Sequence, residues 1–120
     1  MFQTRLTEML GIPHPIMMGG MQLLSTAEFT AAAANAGVMA FLAAETFPSP
    51  EALREEIKKT RDLTDRPFGV NISMLPDVGK GERSVSFARI AAQERVAAAE
   101  TAGSDPAFLL PVLREGGVRV

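Results

Sequence analysis

Short apolar runs alternate with capped helical stretches along this chain, and that alternation constrains the fold more than any other feature. The first run, Pro15 to Met18, ends in Gly19-Gly20. Ser25 then reads as a helix N-cap, and Glu28 three residues later completes a capping box. Behind it Phe29, Ala32, Ala33 and Ala36 fall on one helical face. Gly37 supplies a stop, because it takes a positive φ at no steric cost. Val38 to Ala43 is continuously apolar, as expected of a strand buried on both faces.

The pattern repeats. Ser49-Pro50-Glu51 starts a helix with a Ser cap, Pro in the first turn and an acid at the positive end of the dipole. Leu53, Ile57 and Thr60 mark its inner face, and Glu55 and Lys59 are spaced to pair on the outside. Pro67 introduces a third strand, Phe68 to Met74. Residues 77–84 read as a loop with Gly79-Lys80-Gly81 at its tip, and 85–95 as a helix with Phe87, Ile90 and Ala91 inward. The stretch Val96 to Ala102 has helical residues (Ala98, Ala99, Glu100) at a place where the repeat asks for a strand. We assign a strand. Asp105-Pro106 opens a further helix with Phe108, Leu109, Val112 and Leu113 inward, which Pro111 must kink or split. Val118-Arg119-Val120 begins a fifth strand.

Strands thus start near residues 15, 38, 67, 96 and 118. Regular βα units of this size imply a parallel sheet covered by helices. An open doubly wound sheet and a barrel both satisfy that periodicity. A complete (β/α)8 barrel takes ~200–250 residues, so with 120 residues the chain is expected to be an incomplete one.

Composition removes several function classes. There are no cysteines, hence no disulfide, thiolate nucleophile or Cys metal site. Twelve basic and fourteen acidic side chains give a net charge of −2 with no basic stripe, which argues against a nucleic-acid partner. Apolar runs are broken well short of the ~18 residues that a membrane helix needs. The N-terminus lacks the apolar core of a signal peptide, so a cytoplasmic location is expected.

Ligands of α/β folds sit at the C-terminal ends of the strands. Four places meet that rule: Gly19 to Gln22, Ala44 to Phe47, Asn71 to Leu75, and Glu100 to Ser104. Gly19-Gly20 allows close approach of a flat ligand and leaves N–H groups to donate, but on spacing alone a tight strand-to-loop turn explains the pair better, since a glycine pair is common punctuation. Met21 has two uses, stacking on a ring or filling a gap. Asn71 interrupts an apolar strand and needs partners if buried, from a ligand or from the backbone. Ser73 lies on the same strand face. His14, the only histidine, precedes the first strand, at the wrong end for catalysis; no metal cluster or Ser-His-Asp set can be built from it. Helix capping accounts for Asp105, while Glu45 and Glu100 stay open. Gly79-Lys80-Gly81 lacks the spacing of a phosphate-binding loop. The residues by themselves point to a parallel α/β chain with a polar site formed by Gly20, Asn71 and Ser73.

Longer motifs add a family. Thr4 to Glu8, Gly11-Ile12-Pro13-His14-Pro15-Ile16-Met17-Met18-Gly19-Gly20-Met21-Gln22, Asn35-Ala36-Gly37, Pro50 to Leu53, Leu63 to Asn71, Glu100 to Gly103 and Gly117 to Val120 together resemble the N-terminal part of the nitronate monooxygenases, once called 2-nitropropane dioxygenases. The resemblance implies the N-terminal half of a (β/α)8 TIM barrel, with residues 1–120 forming a partial FMN-binding domain that stops near the fifth strand. It implies that Gly20, Met21 and Gln22 contact the flavin ring of FMN and that Asn71 and Ser73 line the same pocket. Ser73 stands where relatives often have Thr, and Met18 where they often have Gln. The family's catalytic histidine is expected beyond Val120. The implied activity is oxidation of alkyl nitronates by O2 to a carbonyl compound and nitrite. The alternatives are an NADH:quinone reductase on the same barrel, an enoyl reductase, and a non-catalytic fragment that self-associates.

Overall fold

The computed structural model describes residues 2–74 and 81–120. Its order is α1 (Arg5–Leu10), β1 (Met17–Met18), α2 (Ala27–Asn35), β2 (Met39–Ala43), a 3-10 turn (Ala44–Thr46), α3 (Pro50–Leu63), β3 (Gly69–Ser73), α4 (Glu82–Gln93), β4 (Ala98–Ala102), a second 3-10 turn (Pro106–Phe108) and α5 (Leu110–Glu115). The strands lie in sequence order, β1-β2-β3-β4, and every pairing is parallel. Arg119 bridges to Ala98 in parallel, so a fifth strand begins where the repeat places it. Each strand pairs with the next through a helical crossover, the arrangement of a curled half barrel rather than of a doubly wound sheet, whose strand order reverses.

The two faces of the sheet differ, as alternation along a strand requires. Leu42, Val70, Ile72 and Ala99 face the helices and pack with Leu53, Ile57, Phe87, Ile90, Leu109 and Leu113. Met39, Phe41 and Ala98 point to the concave face, where they meet Leu10 and Ile12. Helix α1 and the turn after it therefore close the N-terminal mouth of the half barrel. Phe41 fits there because Gly69 has no side chain: a Cβ would stand 2.6 Å from the ring and 2.4 Å from the Ala98 carbonyl oxygen.

Local signals explain most boundaries. Ser49 caps α3 by accepting from the Ala52 N–H at 3.1 Å, a contact worth ~1 kcal/mol. Leu53, Ile57 and Thr60 are its buried face, as periodicity requires. Gly37 has φ 92, as its role as a stop demands. The stretch 98–102 is a strand despite its helical residues, because backbone pairing with β3 over five positions outweighs intrinsic propensity. Pro111 does split the last helix: the chain makes a 3-10 turn, and α5 restarts with Pro in its first turn.

Five expectations are corrected. Ser25 does not cap α2; Thr26 occupies the N-cap, and Ser25 is fully buried with its hydroxyl elsewhere. The buried face of α2 is Ala27, Thr30, Ala31 and Ala34, while Phe29 is exposed, because small residues are what let this helix sit close to the sheet. Lys59 pairs with Glu28 across to α2 at 2.5 Å, and Glu55 pairs with Lys58 instead. Of the expected loop 77–84, residues 77–80 lie outside the described residues and 82–84 belong to α4. Phe108 is exposed rather than inward. Helix α1 is an element that the strand–helix repeat does not announce, although Thr4 and Thr7 form a capping box and Gly11 closes the helix at φ 68.

Candidate functional site at the C-terminal strand ends

Above the apolar layer of Met39, Phe41 and Ala98, the concave face turns polar. The register sets Asn71 beside Ala43 on one flank and Glu100 on the other. Asn71 is 6% exposed. Its Oδ1 accepts from the Ser73 hydroxyl at 3.3 Å. Its Nδ2 has no partner among the described residues, yet is not sealed from solvent. A strand residue this buried, with a donor facing the open concave side, can bind an acceptor on a ligand.

The segment after β1 passes directly over this amide. A Cβ on Gly20 would stand 2.4 Å from Asn71 Cβ and 2.9 Å from its Cγ, so only glycine fits. The Gly20 N–H donates to Glu100 Oε2 at 2.9 Å. The Met21 N–H donates to Ser25 Oγ at 2.8 Å, which is where the hydroxyl expected to cap α2 goes. Leu23, held at φ 66, donates its N–H to Thr46 Oγ1 at 2.8 Å. The expectation that the glycine pair leaves N–H groups for a ligand is therefore corrected for Gly20, whose donor is already used within the protein. Met21 and Gln22 are exposed at the rim.

The structure brings together Gly20, Asn71 and Ser73, and adds Glu100, which sequence reasoning left open. The signal was available: Glu100 alternates in phase with Ala98 and so faces the concave side. Other candidates resolve as structural. Glu45 holds Arg83 at 3.0 Å, and Arg83 also lies over the Phe87 ring at 4.7 Å, tying the turn after β2 to α4. Asp105 caps the second 3-10 turn by accepting from the Ala107 N–H at 3.0 Å. His14 is exposed at the N-terminal end of the sheet, beside Gly37.

Shallow concavities lie away from this cluster. One of about 480 Å³ is lined by Arg61, Arg66, Phe68 and Arg95 at the N-terminal ends of β3 and β4. That end of a βα sheet serves stability rather than chemistry.

The nitronate monooxygenase family model matches residues 3–114. The chain belongs to the nitronate monooxygenase family. This family member is 38% identical, over 110 residues, to the (3aS,4S,5R,7aS)-5-hydroxy-7a-methyl-1-oxo-octahydro-1H-indene-4-carboxyl-CoA dehydrogenase of Rhodococcus jostii, covering 84% of this chain and 31% of that protein. It is also 38% identical over 71 residues to a probable nitronate monooxygenase of Staphylococcus haemolyticus, covering 59% of this chain and 20% of that one. Among solved structures it superposes on FabK from Thermotoga maritima with a TM-score of 0.86 at 31% identity, covering 98% of this chain and 36% of that chain. Nitroalkane oxidase from Streptomyces ansochromogenes gives 0.76 at 26% identity, covering 96% and 41%. The chain thus spans about a third of the length of the relatives it matches. Family and neighbours place the chain in a TIM-barrel lineage. Among the described residues, no helix is long and apolar enough to cross a membrane.

Proposed function

We propose that this chain forms one wall of the FMN pocket of a cytoplasmic oxidoreductase that oxidises alkyl nitronates with O2. The observation that carries this reading is the open Asn71 Nδ2 on a buried strand residue, at the strand ends where βα folds bind ligands. The donor set suits a flavin. Asn71 offers a neutral amide donor to a ring carbonyl or nitrogen, and Ser73 holds that amide in place through its Oδ1. Gly20, Met21 and Gln22 run past the amide as a backbone strap, with the Met21 thioether at the rim to cover a ring edge. FMN held by Asn71, Ser73 and the Gly20 to Gln22 strap would supply the redox chemistry, as electron acceptor for the nitronate with O2 as the final oxidant. This chain's residues bind and orient the ring; among them the only histidine lies at the opposite end of the strands, so they offer no histidine base to the substrate.

One observation favours a second reading. The match to the CoA-thioester dehydrogenase covers 84% of this chain, against 59% for the probable nitronate monooxygenase. A flavin-dependent dehydrogenase of a carboxyl-CoA thioester is the alternative. Two experiments test these readings. FMN titration of wild type and Asn71→Ala, followed by flavin absorbance and fluorescence quenching, should show saturable binding that weakens roughly three- to tenfold in the variant, the worth of one hydrogen bond. Turnover of the full-length protein with a nitronate and O2, with a CoA thioester, and with NADH plus quinone then assigns the substrate class; nitrite release with none of the others active is the expected result.

A further inference from the structure

We infer that Glu100 is a positioning residue, which tethers the Gly20 strap across the concave face and so shapes the flavin pocket. The inference rests on the flavin reading proposed above. Glu100 reaches from β4 to Gly20 over a sequence separation of 80 residues and is half-buried. A carboxylate accepting from a backbone N–H makes a charge-assisted bond, stronger than a neutral one. Strand register does not need it: β4 is already fixed to β3 by pairing from Gly69↔Ala98 to Ser73↔Ala102. Placing a carboxylate inside a barrel carries a desolvation cost that an apolar residue avoids. What the carboxylate does hold is the strap. β1 has two residues and, among the described residues, pairs only with β2, so the backbone beyond Met18 has little ladder to fix it. The Met21 and Leu23 N–H groups are tied to Ser25 and Thr46 on the near side. Glu100 supplies the tie on the far side and keeps Gly20 pressed on Asn71, the residue that presents the open donor. The second carboxylate oxygen lies against Gly19, 3.1 Å from where its Cβ would be, so both glycines of the pair are shaped to this side chain.

The test uses Glu100→Gln, which keeps an acceptor oxygen, and Glu100→Ala and Glu100→Asp, which cannot reach Gly20. The Gly20 amide exchange rate is measured by NMR in the flavin-free full-length protein. It should be slow in wild type and Glu100→Gln, and faster by about tenfold or more in Glu100→Ala and Glu100→Asp, the loss expected of a charged-group bond. Unchanged protection of the β2 and β3 amides marks a folded variant, and Glu100→Asp carries the test if Glu100→Ala does not fold. FMN titration of the same proteins should give Glu100→Gln near wild type and about tenfold weaker binding for the other two. A Gly20 amide that exchanges equally fast in all four proteins overturns the tether. Equal FMN affinity in Glu100→Asp and wild type, with Gly20 deprotected, overturns the positioning role. Wild type that never binds FMN refutes the flavin reading, and the exchange data then stand apart from it.

Discussion

Gly20→Ala should destabilise the protein even when no flavin is present. The added Cβ would stand 2.4 Å from Asn71 Cβ and 2.9 Å from Cγ, well inside normal contact. Neither partner atom is the free end of a flexible chain: Asn71 Cβ is fixed to a central strand paired on both sides. The strap must therefore lift, which stretches the 2.9 Å bond from Gly20 to Glu100. Overpacking of this kind costs ~1–3 kcal/mol. For a domain near this size, that lowers the melting midpoint by roughly 4–15 °C. Asn71→Gly removes both clashing atoms, so a double-mutant cycle isolates the contact. Thermal and urea unfolding of wild type, both single variants and the double variant, all flavin-free, should show Gly20→Ala recovering most of its loss when Asn71→Gly accompanies it. If Gly20→Ala unfolds like wild type without flavin and loses only FMN affinity, the glycine serves the ligand and the packing argument is wrong. Strictly additive effects of the two substitutions would refute the contact in the same way.

Three further outcomes follow from the structure. Thr30 is fully buried and its hydroxyl has no partner among the described residues, so Thr30→Val should raise stability by ~1 kcal/mol, read from urea unfolding. The hydrogen bond from Lys59 holds the Glu28 carboxyl below the usual carboxylate range, and Glu28 in turn holds the Lys59 ammonium above its usual range. Their stabilisation is complete between the two unfolded values, and is lost as pH falls through the depressed Glu28 value or rises through the elevated Lys59 value. Because both side chains are more than half exposed, Lys59→Met should shift the unfolding midpoint only slightly, and not at all in high salt. His14→Ala should leave FMN affinity unchanged in the same titration, since His14 lies at the other end of the sheet.

The order of elements was legible because it rests on strong local chemistry. Ser49-Pro50 and Asp105-Pro106 are capping signals that act within a few residues, and the structure uses both. Val38 to Ala43 is apolar on both faces, which only a strand between two layers explains. Periodicity failed where several registers were equally apolar. The alanines of α2 offer no preferred face, so which of them is buried is decided by the sheet, not by the helix. Ser25 resembles a cap because a hydroxyl before a helix usually is one; here the Met21 amide, brought back by the turn, claims it. Lys59 has acceptors on its own helix and on the preceding one, and only packing brings Glu28 closer. In the site, Asn71 and Ser73 stood out as polar residues on one face of an apolar strand. Gly20 stood out too, but for a reason invisible in sequence, since its neighbour Asn71 comes from a different βα unit. The face of Glu100 was legible from its phase with Ala98, but its partner was not, being 80 residues away.

The measurement that tests the central claim most directly is FMN titration of the full-length wild type beside its Asn71→Ala variant. Saturable binding that weakens roughly three- to tenfold in the variant is the predicted result. Identical affinities, or no flavin bound by wild type, would contradict a flavin pocket walled by Asn71.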